Sequence, residues 1–211
     1  MKVSKEQSAL NRAKLVETAA RLIRERGIDG VGVAEIAKEA GLTHGALYAH
    51  FASKDALAAE ALSFGLERGH KRMTVAREGR HPGFADLLDI YLSERSRNDI
   101  AEGCAMAASI SEIARQDVSV SARFGDGFER MTKLIGSKLD AGLPDPERRD
   151  RALAVTVAMI GAISASRAVM KARPELADEI LRTMRHAIDT VAGETRADGN
   201  DGKKAAGKAK A

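Results

Sequence analysis

Residues 32–51 run GVAEIAKEAGLTHGALYAHF, and this stretch decides the fold. Ile36, Ala37 and Ala40 place small and apolar groups on one face of a short helix. Gly41 stops that helix where the turn needs a residue tolerant of positive φ. Leu42 supplies an apolar contact to the turn, and Thr43 is a strong N-cap for the next helix. Ala46, Leu47 and Phe51 continue the apolar face. Two short helices with glycine in the turn and a small residue, Ala37, at their crossing form a helix-turn-helix. Its second helix is presented outward and fits a DNA major groove.

Working outward, Ser4 and Gln7 have the spacing of a capping box. The helix they start runs to about Arg26, with Leu10, Leu15, Val16, Ala19, Ala20 and Ile23 as its buried stripe, and Gly27 ends it. After a loop at 28–32, helices follow over about 33–40 and 44–50. Ser53 then caps a helix over 54–70 with Leu57, Ala61, Phe64 and Leu66 at helical spacing. Gly79, Pro82 and Gly83 weaken helicity across 71–83, which reads as a bend between domains. Further helices are expected over about 84–97, 104–116, 119–141, 147–172 and 175–193, with breaks at GLPDP (142–146) and Pro174. Residues 194–211 read as a disordered basic tail, because large apolar residues are absent from Ala197 onward and Lys203, Lys204, Lys208 and Lys210 meet no acid.

The bulk composition agrees with an all-α protein. Of 211 residues 44% are hydrophobic but only 3% aromatic, so the core is aliphatic, and no stretch alternates β-branched residues. The net charge of +4 permits nucleic-acid binding without establishing it. Residues 1–50 carry eight lysines and arginines against six carboxylates, and Lys2 and Lys5 are either ordinary solvated charges or cations that follow a DNA backbone or minor groove. The single Cys104 excludes an internal disulfide and a cysteine-rich zinc site. His70, His81 and His186 have no metal-ligand spacing, so no metal and no cofactor are expected. Paired carboxylates, a phosphate-binding glycine loop and a nucleophile elbow are also missing, which argues against an enzyme. Without an apolar leader or a run of 18 apolar residues, a cytoplasmic protein away from membranes is expected.

One constellation spans the first third of the chain. Arg12, Leu15, Val16, Ala19 and Ala20, then Gly27, then Val33–Ile36–Ala37–Ala40–Gly41–Leu42–Thr43, Leu47–Tyr48, His50–Phe51 and Ser53–Lys54–Leu57 together resemble the N-terminal domain of TetR-family transcriptional regulators. The match covers about residues 8–68; beyond residue 70 only the layout is similar. The resemblance implies a three-helix DNA-binding domain over 8–68 and a C-terminal all-α domain over 71–193 that binds a small-molecule effector and forms a homodimer. It implies a ligand-responsive repressor acting on palindromic double-stranded operators. A departure lies at Gly32 and Val33, where the family often has Ser or Thr; Val33 offers no hydroxyl, so only a backbone N–H contact is expected there.

The candidate DNA-binding residues are Val33, Thr43, His44, Gly45, Ala46, Tyr48, His50 and Lys54. Thr43 and the first free N–H groups of its helix suit a phosphate. His44 suits a base edge, Gly45 and Ala46 allow close approach, and the Ala46 methyl suits a thymine methyl. Tyr48 is assigned to the DNA backbone by the resemblance, with His50 beside it, and Lys54 offers a phosphate point charge. The surface is poor in Arg, Asn and Gln, so DNA shape carries much of the expected specificity.

For the C-terminal domain, Met73, Met106, Met131 and Met159 with Phe84, Tyr91, Phe124 and Phe128 are either core residues or walls of a plastic ligand pocket. Cys104, at the start of a helix, is either a small packing residue or the thiol of an electrophile-sensing regulator. Val155, Ala158, Ala162, Ala165, Ile180, Met184 and Ile188, on the last two helices, are candidates for the dimer bundle that the resemblance implies. A constitutive DNA-binding protein without an effector is the remaining alternative.

Overall fold

The computed structural model describes residues 4–76 and 79–193, so the expected basic tail and Lys2 lie outside the described residues. Every regular element in them is helical: α1 (Lys5–Arg26), α2 (Val33–Glu39), α3 (His44–Tyr48), α4 (Lys54–Thr74), α5 (Phe84–Tyr91), α6 (Glu94–Asn98), α7 (Ala105–Ile113), α8 (Val118–Gly136), α9 (Asp145–Met170) and α10 (Pro174–Ala192). The all-α architecture, with an N-terminal helix-turn-helix and a C-terminal helical domain, follows directly.

Local chemistry sets the ends of these helices. Ser4 Oγ accepts the Gln7 N–H at 3.1 Å, but the Gln7 amide turns to Asn11 at 2.9 Å, so only half of the expected capping box forms. Leu10 is 52% exposed rather than part of the buried stripe. At about 100° per residue it lies nearly opposite Leu15, Ala19 and Leu22 on the helix. α4 runs unbroken to Thr74, past the expected end at residue 70. The helix expected over 84–97 is two helices, because Ser93 Oγ accepts the Ser96 N–H at 3.1 Å and starts α6 afresh. Serine hydroxyls from Ser93 and Ser96 also donate to the Ile90 carbonyl (3.1 and 2.8 Å), satisfying the end of α5. α8 stops at Gly136, short of residue 141.

One apolar core runs through both halves. In the N-terminal half Leu15, Leu22, Ile36, Leu47 and Leu57 are fully buried where α1 to α4 meet. In the C-terminal half Leu87, Leu88, Ile135, Met159, Ile160 and Ile163 are. α4 contributes to both, packing on α1 at one end and on α8 at the other. α9 and α10 form an extensively packed pair, tied by Ser166 Oγ donating to the Ala177 carbonyl at 2.8 Å.

The outer face of that pair differs from expectation by about one residue. Val155, Ala162 and Ile188 are buried inside the protomer, so they are not available to a second copy. Ala158, Ile180 and Met184 are half-buried and Ala165 is exposed. The outward stripe of α9 is Ala154, Val157, Ala158, Gly161, Ala165 and Ala168, and that of α10 includes Ile180, Met184, Ala187 and Val191. The apolar positions of α9 wrap most of its circumference, so periodicity alone left the stripe's register ambiguous. The most apolar 18-residue window of α9 has mean hydropathy 1.7, yet only 39% of it is buried in the protomer.

Candidate nucleic-acid interface and cavity

The turn before α3 is built by a complete C-terminal cap. Gly41 adopts φ +71°, its N–H bonds the Lys38 carbonyl (3.0 Å), and the Leu42 N–H bonds the Ala37 carbonyl (2.8 Å). That two-bond pattern is the Schellman motif, and it satisfies the carbonyls left over at the end of α2. Leu42 packs back on the core, which aims α3 outward. Thr43 Oγ1 then accepts the Ala46 N–H at 3.2 Å, leaving its own O–H proton to donate to a phosphate.

On α3, Leu47 is fully buried, and Phe51 just past the helix is 3% exposed. They anchor the segment while Thr43, His44, Gly45 and Tyr48 are exposed and Ala46 half-buried. The His44 and Tyr48 rings meet edge to face, with centroids 5.0 Å apart, so each restrains the other on the outer face. α3 ends at Tyr48, two residues short of the predicted extent. His50 therefore sits in the following turn, half-buried, off the helix face that carries His44 and Tyr48. With five residues α3 has little dipole to offer, so side chains supply most of its polar surface. Val33 is half-buried at the start of α2, whose cap Gly32 makes no side-chain hydrogen bond. Ser53 caps α4 through the Ala56 N–H (3.1 Å) and holds the half-buried Lys54 at its first position.

Most N-terminal arginines are engaged within the domain. Arg12 pairs with Glu60 and lies over the Phe51 ring, 4.9 Å from its centroid. Arg26 pairs with Glu35, and Arg21 bridges Glu25 and Glu39 (3.2 and 3.3 Å). Lys5, Lys14, Lys38 and Lys54 make no ion pair among the described residues.

A cavity of about 760 Å³ lies between α4, α5, the α6–α7 connection and α8. Met73, Tyr91, Cys104, Met106 and Met131 line it. Four other pocket candidates do not. Met159 is fully buried in the α9 core and Phe84 is buried at the start of α5. Phe124 and Phe128 pack on each other, ring centroids 6.4 Å apart, away from the cavity. Cys104 is the N-cap of α7, and its sulfur accepts a hydrogen bond from the Tyr91 hydroxyl at 2.9 Å. Burial, followed by the proximity of Cys104, raises the Tyr91 pKa well above its ordinary value, so the phenol stays protonated and donates. No cluster of His, Cys, Asp or Glu suited to a metal occurs among the described residues.

The contacts that join the cavity to the N-terminal domain carry no local sequence signal. Arg24 of α1 is buried, and its Nε donates to the Ala101 carbonyl at 2.6 Å. Desolvation by burial lowers its pKa, opposed by Glu102, whose carboxylate lies 4.0 Å away. From α7, Glu112 accepts the Ile28 N–H at 2.7 Å, directly after Gly27 at φ +82°. The positive φ favours glycine there, and a Cβ on Gly27 would also push that carboxylate aside. Gln116 adds a bond to Asp29 at 3.2 Å. These partners are 77 to 87 residues apart in sequence, beyond any local pattern.

Residues 15–61 match the family model described as bacterial regulatory proteins, tetR family. An uncharacterised HTH-type transcriptional regulator of Mycobacterium tuberculosis is 29% identical over 163 residues, covering 74% of this chain and 84% of the relative. The HTH-type transcriptional repressor NemR of Escherichia coli K12 is 23% identical over 135 residues, covering 62% of this chain and 68% of that one. The solved structure of reduced E. coli NemR superposes with a TM-score of 0.68 at 21% identity, over 86% of this chain and 96% of the other. A TetR-family regulator from Agrobacterium tumefaciens superposes at 0.65 and 19% identity, over 86% and 98%.

Proposed function

Because the chain belongs to the tetR family of bacterial regulatory proteins, we propose that it is a ligand-responsive transcriptional repressor. Two copies pair through the outward small-residue stripes of α9 and α10 and place their α3 segments in successive major grooves of a palindromic operator. It acts in the cytoplasm on double-stranded DNA. Thr43, Tyr48 and Lys54 hold phosphates, His44 meets a base edge, and Gly45 with Ala46 keeps the helix close to the groove floor.

The observation that carries the ligand response is a shared wall. Residues Glu102, Gly103, Cys104 and Ala105 border the cavity, and the same connection grips Arg24 of α1 through Ala101 and Glu102. α7 repeats the arrangement along its length, with Met106 at the cavity and Glu112 on the α1–α2 loop. A ligand that prefers one position of this wall thereby biases the position of the DNA-reading unit.

The test is fluorescence anisotropy with a duplex that the protein itself selects from a random library. Lys54→Ala weakens binding to all sequences alike and lowers the salt slope by about one. His44→Ala changes the preferred base. Affinity that falls without a change in preference removes His44 from base reading.

A second reading is favoured by the Tyr91–Cys104 contact at the cavity wall. Alkylation of the sulfur breaks that hydrogen bond and pushes new atoms into the cavity. N-ethylmaleimide treatment then lowers duplex affinity in the native protein and not in Cys104→Ser; equal affinity before and after treatment of the native protein dismisses thiol sensing.

A further inference from the structure

We propose that the cavity takes an amphipathic aliphatic carboxylate, with its head at Arg72 and Arg130 and its chain along the methionine wall. The proposal rests on the reading of the cavity as the effector site.

The charged lining is unbalanced once its internal pairs are set aside. Four carboxylates border the cavity, and the protein occupies each. Asp86 accepts from both terminal nitrogens of Arg80 (2.7 and 3.1 Å) and from the Gly83 N–H at 2.8 Å. Asp89 pairs with Arg185 at 3.0 Å. Glu102 pairs with Arg68 and lies near Arg24. Asp99 accepts the Glu102 N–H at 3.0 Å.

The cations are not matched in the same way. Arg68 and Arg80 are used in those pairs. Arg72 of α4 reaches only the Gly103 carbonyl, at 3.4 Å, which is at the long end for a hydrogen bond. Arg130 of α8 makes no ion pair among the described residues; Glu67, whose carboxyl feels its charge, is held by Lys71 at 2.9 Å. His70 of α4 also lines the cavity, and its pKa is lowered by burial and then by Arg130. Two guanidinium groups with no carboxylate partner among the described residues leave the lining with positive charge that an anion can meet. Guanidinium groups match a carboxylate in planar, two-point geometry.

The rest of the lining selects the tail. Leu66, Met73, Met106, Met131 and Leu134 are flexible aliphatic side chains. Tyr91 is the aromatic residue that borders the cavity, and its hydroxyl is committed to Cys104. A cationic ligand would meet three carboxylates already held by arginines and, at Asp99, one bonded to the Glu102 N–H, and a flat aromatic ligand would find little to stack on. At about 760 Å³ the space is in the usual range for a small organic ligand.

The test is calorimetric titration of the full chain, below micelle-forming concentrations, with decanoate, decyltrimethylammonium, 1-decanol and acetate. Decanoate binds tightest, the same-length cation binds at least about tenfold weaker, and acetate gives no detectable heat. The double variant Arg72→Gln, Arg130→Gln loses about 10- to 100-fold in decanoate affinity and keeps its affinity for decanol. The ligand series on unaltered protein stands even if that variant folds poorly. The cation binding as tightly as decanoate, or the folded double variant binding decanoate unchanged, overturns the proposal. Duplex binding measured in parallel separates the two ideas: decanoate that binds without releasing DNA upholds the ligand class and sinks the release mechanism. A different compound that releases DNA while decanoate fails to bind does the reverse.

Discussion

The front of α3 and the walls of the cavity are made of opposite materials. α3 shows small side chains and two rings, standing on fully buried Leu47 and closed behind by the Gly41 turn. The cavity shows long, adaptable side chains and several arginines, drawn from α4, α5, the α6–α7 connection and α8. One surface must present a fixed shape to a rigid duplex, so it is built from backbone geometry and core anchors. On the proposed reading the other yields to a ligand, and it is built from groups with many rotamers.

The largest expected effect separates the two regions by what each needs from a second copy. The cavity is complete within one protomer, whereas a palindrome needs two α3 segments. Nothing lies within 4 Å of a Cβ placed on Gly161, so Gly161→Glu leaves the protomer intact and puts a charge on the outward stripe of α9. Sedimentation then shows a monomer, duplex affinity falls by about 10²- to 10⁴-fold, and ligand affinity in the cavity is unchanged. A monomer that retains full duplex affinity would break the contrast.

The next effect concerns rigidity. Leu47→Ala removes a fully buried anchor beneath α3 and costs about 2–5 kcal/mol in chemical denaturation. Arg72→Gln at the exposed rim of the cavity changes stability by less than about 0.5 kcal/mol. Comparable losses from the two would mean that the regions are equally braced.

The smallest effect is a pH dependence confined to the cavity. Burial and Arg130 hold the folded-state pKa of His70 below that of the unfolded chain. The unfolded state therefore binds the proton more readily, and stability falls as pH drops through the ordinary histidine range toward the depressed value. Thermal unfolding followed from about pH 7.5 to about pH 5.5 shows this decline, and His70→Asn flattens it. An unchanged slope in the variant would assign the decline to other groups.

The same contrast explains what the amino-acid order disclosed. The helix-turn-helix was legible because each of its devices is local: Gly41, Leu42 and Thr43 act within five residues of their partners. Ser93 carried an equally local signal, the start of α6, that was hidden by the apolar periodicity on either side. Of nine pocket candidates chosen as methionines, aromatics and a cysteine, five border the cavity, because residue type shows that a side chain is apolar but not which void it faces. Arg72 and Arg130 went unnoticed, and His70 was weighed only as a metal ligand, since charge on an amphipathic helix looks alike whether it faces water or a cleft. Helix α9 shows the limit most plainly: small and apolar residues surround it so evenly that Val155 and Ala158 could be distinguished only by seeing what they touch.

The uninterrupted course of α4 turns distance into leverage. Its 21 residues span about 30 Å, so a tilt of about 5° pivoting at the cavity end carries the Lys54 end sideways by roughly 2.7 Å. In the proposed two-fold pair such displacements would oppose each other, and the gap between reading heads would open by about twice that amount, against a helical repeat of about 34 Å. A stiff rod needs only a slight nudge at its base to put both tips out of phase with the groove.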